Sequence, residues 1–145
     1  MRHLLFALLF CATSLWAGEH RELTWRELIP PDAPPQPLQQ APDAPVVREL
    51  DAQRVKLPGY IVPLEVTEEG RVTEFLFVPY FGACIHVPPP PSNQIVHVTS
   101  ELGVLMDALY QPFWIEGPLR VEAHGSEMGT AGYQMAADKI YPYEM

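Results

Sequence analysis

Cysteine is nearly missing from this 145-residue chain: there are two, Cys11 and Cys84, and no Cys-x-x-Cys pair. That scarcity excludes a disulfide framework, a four-cysteine zinc motif and thioredoxin-type exchange chemistry. Positive charge is scarce as well, with nine Lys and Arg against eighteen Asp and Glu and a net charge of −9. Phosphate backbones are held mainly by Lys and Arg, so nucleic acid is excluded as a partner, and so is electrostatic attachment to anionic lipid. After the first residues no apolar run approaches the roughly 20 residues of a membrane-spanning helix. No stable membrane insertion is expected once the N-terminal segment is removed.

What is present begins with that segment. Arg2 and His3 precede an almost unbroken apolar run, Leu4 to Cys11, and small polar residues follow. This is the layout of a secretory signal peptide, cut after Ala17 and covering residues 1–17. The protein is therefore expected in the periplasm. Phe10 is too large for a lipoprotein processing site at Cys11. Without Arg2 the net charge becomes about −10. Cys84 is then the lone thiol in an oxidising compartment, where it must be buried, metal-bound or paired with another molecule.

Residues 18–47 read as an N-terminal docking segment followed by a Pro-rich linker. "PPDAPPQPLQQAPDAP" holds seven prolines, which favour extended geometry and supply no backbone donor. Before it, "TWRE" suits one helical turn capped by Thr24 and Glu27, with Trp25 as the residue that docks on the domain. Residues 48–145 carry strand patterning. Val55 and Leu57 alternate on one phase and Tyr60, Val62, Leu64 and Val66 on the other, with Pro58-Gly59 at the flip. "VTEFLFVPYF" and "NQIVHVTS" supply the second and third strands. Leu102, Leu105, Met106 and Leu109 have helical spacing, with Ser100 as cap and Pro112 as stop. "FWIEGPLRVE" and "GYQMAADKIYPY" complete five strands, with "AHGSEMGTA" as a loop between them. Three strands, a short helix and two strands predict a mainly β fold, a small five-stranded OB-like Greek-key barrel with one short helix between strands 3 and 4. An open antiparallel sheet with one helix packed on it has the same linear order.

Chemistry concentrates in "PYFGACIHVPPPPSNQ". In extended backbone Cys84 and His86 point to the same side, and a thiolate with an imidazole suits zinc. His97 and His124 are the histidines that could complete such a site. A second reading makes Cys84 a nucleophile with His86 as base, although no cysteine-hydrolase signature is present. A third makes the loop structural, with a buried thiol and a histidine bonded to backbone. Pro88, Pro89, Pro90 and Pro91 stiffen the exit, and together with Trp25, Tyr80 and Phe81 they form a candidate partner-binding surface.

"PGYIVPLE", "EFLFVPYFGACIHVPPPPSNQIV" and "GYQMAADKI" resemble an uncharacterised family of bacterial periplasmic proteins, filed as a domain of unknown function. The resemblance runs from about Trp25 to Tyr143, with "FGACIHVPPPP" as its densest motif. Members often lie beside ABC-transporter genes of zinc-responsive uptake clusters. The resemblance implies a periplasmic accessory protein connected with zinc acquisition. The leading expectation is a non-enzymatic domain that assists zinc handling by an envelope transporter, with a transporter permease or a periplasmic binding protein as partner. It implies no catalytic residue. An interaction module without a metal site of its own is the alternative.

Overall fold

The computed structural model describes residues 19–36 and 41–144, so the expected signal segment lies outside the described residues. Among these, no helix is long and apolar enough to cross a membrane. The chain is mainly β. Nine strands follow one another among the described residues: β1 (Arg21–Glu22), β2 (Arg54–Val66), β3 (Arg71–Val78), β4 (Val96–Leu105), β5 (Phe113–Arg120), β6 (His124–Ser126), β7 (Gly129–Ala131), β8 (Tyr133–Ala136) and β9 (Lys139–Pro142). Among the described residues helix is confined to single 3-10 turns at Trp25–Leu28, Arg48–Leu50, Ser92–Gln94 and Met106–Ala108. The expected count of five strands is thus too low. The stretch 124–131, expected as loop, is a hairpin of its own, and the expected last strand breaks into β8 and β9 at Ala137-Asp138.

Seven strands form one sheet in the order β1-β2-β3-β4-β8-β5-β9, and β2 pairs with β5 as well as with β3. The pairings β2–β3–β4–β8–β5 therefore return to β2. The shared strand turns its corner where the sequence flips phase: residues 54–59 pair with β5, and residues 60–66 pair with β3. Gly59 is required there, because a Cβ would sit 2.6 Å from the Val78 carbonyl oxygen and 3.0 Å from the rings of Phe77 and Trp25.

Two apolar clusters lie on opposite faces of β2 and β3. Val55, Leu57, Ile61, Phe75 and Phe77 enter the main core with Val96, Val98, Ile115 and Tyr133. Val62, Leu76 and Val78 point the other way, into a second cluster with Ala83, Ile95 and Ala131; Tyr60, Leu64, Cys84 and Met128 pack against it. Val66, expected to continue that alternation, is exposed.

The helix expected after Ser100 is absent. β4 runs through to Leu105, and its register on β3 jumps from Glu74↔Thr99 to Val72↔Val104. Residues 100–103 bulge out, with Gly103 at φ +68, a value glycine adopts at little cost. Leu102, Leu105 and Met106 are exposed. Their three-residue spacing reflects a bulge followed by a single 3-10 turn, not one face of a helix.

The N-terminal segment docks as expected. Glu27 Oε2 accepts hydrogen bonds from the Thr24 N–H (2.7 Å) and hydroxyl (3.1 Å), fixing the turn that carries Trp25 and Leu28. Trp25 Nε1 donates to the Pro58 carbonyl (2.6 Å) and its ring packs against Phe77. Leu23 and Leu28 are fully buried, each contributing on the order of 1.5–3 kcal/mol. The end of the linker is pinned more firmly than its prolines suggest. Ala44 N–H donates to Ser92 Oγ, and Asn93 Nδ2 donates to the Pro45 carbonyl.

Candidate functional site

Strand alternation builds the site. On β3, Phe75 and Phe77 take the core face, so Glu74 and Leu76 take the outer one. On β4, Val96 and Val98 are core residues, so His97 faces outward, opposite Leu76 and diagonal to Glu74. Diagonal neighbours across a strand pair are within reach of long side chains. The Glu74 carboxylate spans that gap and accepts a hydrogen bond from His97 Nε2 at 2.7 Å. A carboxylate only accepts, so this contact places the proton on Nε2. His97 is only 6% exposed. A third side chain comes from the β6–β7 hairpin, where the ring of His124 stacks on His97 with centroids 3.7 Å apart and planes 17° apart.

Glu74, His97 and His124 thus present one ligand atom each, all within 4.8 Å of one another. Two donors on one zinc ion stand at most about 4.2 Å apart, twice a zinc–nitrogen bond. The stacked rings of His97 and His124 aim their nitrogens along nearly parallel planes, so an ion that takes both turns one ring off the stack. Two imidazoles and a carboxylate form a donor set that zinc takes with one position left open. An ion would take the place of the proton between His97 Nε2 and Glu74 Oε1, leaving the neutral imidazole to carry its proton on Nδ1.

Of the four metal ligands expected from sequence, the structure brings His97 and His124 together and leaves Cys84 and His86 out of the group. The premise that joined Cys84 to His86 was extended backbone. The structure instead has a turn closed by the Ala83↔Val87 bridge, with Cys84 at φ +65 and His86 N–H donating to Gly82 O at 2.9 Å. Cys84 is half-buried against the second cluster, and burial pushes its thiol up to about 11. That shift works against a nucleophile, which needs the thiolate. Glu74 has no chemistry-bearing neighbour within its own stretch of sequence, unlike Cys84 and His86. The alternation in "TEFLFV" and "IVHVT" is the signal that points Glu74 and His97 to one face.

The candidate partner surface is divided. Tyr80, Phe81 and Pro88 are exposed, Pro89 is half-buried, and Pro90 and Pro91 are buried. Trp25 is half-buried and occupied by the protein's own core.

Among curated proteins, none matches the chain. A crystal structure of a DUF3299 family protein from Pseudomonas aeruginosa PAO1 is similar to it at 57% sequence identity and a TM-score of 0.84, over 88% of this chain and 99% of that one. The profile of the DUF3299 family, described as protein of unknown function, matches residues 26–142. On both matches the chain belongs to the DUF3299 family.

Proposed function

We propose that this protein is a periplasmic, non-enzymatic accessory of metal handling, assisting zinc uptake by an envelope ABC transporter, and that it holds the ion on Glu74, His97 and His124. The observation that carries the reading is the meeting of these three donors from three elements on one outer face. Cys84 and His86, candidates from sequence, are replaced by Glu74 in the ligand set. The closed cycle of strand pairings, with β4 and β8 parallel, supports an OB-like five-stranded barrel to which the remaining strands are added. In that fold the face of the second and third strands and the loop before the last strand bind ligands. Glu74 and His97 lie on that face, and His124 lies in that loop. Export rests on the N-terminal sequence, Arg2 with the apolar run behind it. A thiol raised to about 11 speaks against a cysteine enzyme.

Calorimetric titration of the purified protein with Zn²⁺ tests the reading. One ion per chain is expected, with binding abolished by His97→Ala and retained by Cys84→Ser. Absence of binding under reducing conditions removes it. The alternative, an interaction module without its own metal, draws on the exposed apolar side chains of Tyr80, Phe81, Ile85 and Val87. Its expected partner is a transporter permease or a periplasmic binding protein. Unaltered zinc handling in a His97→Ala strain, with loss of handling in a Phe81→Ser strain, favours that alternative.

A further inference from the structure

The three donors differ in how firmly each is held. Glu74 and His97 sit in the seven-stranded sheet, whereas His124 sits in β6, which among the described residues pairs only with β7 in a separate two-stranded sheet. The β7 side of that hairpin is anchored: Ala131 is fully buried, and the Gly132 N–H donates to the Ser92 carbonyl at 2.7 Å. A Cβ on Gly129 would lie 3.2 Å from Pro89 and 3.4 Å from Ile95, so that end rests directly on the proline run. The β6 side is not anchored in this way. Glu122, Ala123 and Gly125 are exposed, and Ser126 Oγ turns back to Gly129 O at 2.8 Å within the hairpin. The approach to β6 is held at Val121, whose N–H donates to Asp51 Oδ1 at 2.9 Å, and at Glu122, whose carbonyl accepts from Gln134 Nε2 at 3.4 Å; within β6 itself the His124 ring on His97 is the contact with the sheet face.

We infer that the ion acts as a clasp, closing the β6 end of the β6–β7 hairpin on the sheet when bound and releasing it when absent. The inference rests on the metal reading proposed above. Only the closed arrangement offers all three donors, so an ion that needs all three binds that arrangement alone. Free zinc at 100 times its Kd then lowers the population of the open form about 100-fold. Met128, next to Gly129 and packed on the second cluster, stays with the anchored end. Loaded and empty protein therefore present different surfaces at the β6 edge, a difference that a partner can read.

Amide hydrogen exchange over residues 121–131, measured in EDTA and in zinc at 100 times the calorimetric Kd, tests the clasp. Exchange over 123–127 is expected to slow by about 100-fold with zinc, while alkylation of Cys84 by iodoacetamide, measured alongside, is expected to stay unchanged. The slowing vanishes in His97→Ala, or in Glu74→Gln where the first variant does not fold. Zinc binding in calorimetry with unchanged exchange overturns the clasp and leaves the metal reading standing. No zinc binding overturns both. Protection of Cys84 that survives His97→Ala puts the ion on the thiol and overturns the clasp.

Discussion

Replacing Tyr133 by Phe removes one oxygen from a fully buried side chain. That hydroxyl donates to the Leu28 carbonyl at 2.6 Å and accepts from the Val47 N–H at 2.8 Å. Its two partners flank the Pro-rich stretch, so one atom ties both ends of the N-terminal segment to the sheet. The variant leaves the carbonyl of fully buried Leu28 without a donor, at about 1–3 kcal/mol. Val47 is half-buried and water replaces part of its lost bond, which adds about 1 kcal/mol or less. The expected total is about 2–3 kcal/mol, or a fall in Tm of roughly 10 °C for a chain of this size. Urea unfolding with an unchanged slope measures the energy, and exchange of the Val47 amide localises it. Burial also raises the Tyr133 phenol above its ordinary 10.0, which favours the neutral form in the fold. Stability from this group is therefore complete below pH 10 and is lost as pH rises through the folded value, because the unfolded chain gives up its proton first. Part of the alkaline loss should disappear in the variant. A change under 0.5 kcal/mol with an unaltered Val47 amide refutes the reasoning.

At pH 8 Cys84 should react with iodoacetamide about 100-fold more slowly than an ordinary thiol, the ratio set by a rise from 9.0 to about 11; rates within threefold of a free cysteine peptide contradict that burial. Gly59→Ala should destabilise by about 2–3 kcal/mol in urea, since the added carbon meets backbone at 2.6 Å and two aromatic rings at 3.0 Å; a neutral result shows the corner to be loose. Hydrogen bonds from Thr24, foremost its backbone N–H, lower the Glu27 carboxyl below 4.5, so the docking turn is fully supported above that pH and weakens as pH falls through the folded value. Trp25 fluorescence should report its release, with the acid transition reduced in Glu27→Gln.

Much of the fold was legible because strand alternation is a local consequence of burial on one face. The corner at Pro58-Gly59, the segments that became β2 to β5 and the docking turn at Trp25 all followed from neighbouring residues. The helix after Ser100 was misread because a bulge spaces exposed Leu102 and Leu105 three apart, as a helix would. The β6–β7 hairpin carries Gly and polar residues with little alternation, so it looked like a loop. The site was half legible. His97 and His124 stood out as rare residue types, but their meeting depends on how the hairpin returns across the sheet. Glu74 needed the register between β3 and β4, and a register slip of one residue would have turned it inward.

The most direct measurement is zinc anomalous diffraction from crystals of this protein grown with Zn²⁺. The expected map has one strong peak within about 2.0–2.2 Å of a carboxylate oxygen of Glu74 and of ring nitrogens of His97 and His124. A peak on Cys84 and His86 instead, or no peak at these three residues, contradicts the proposed site.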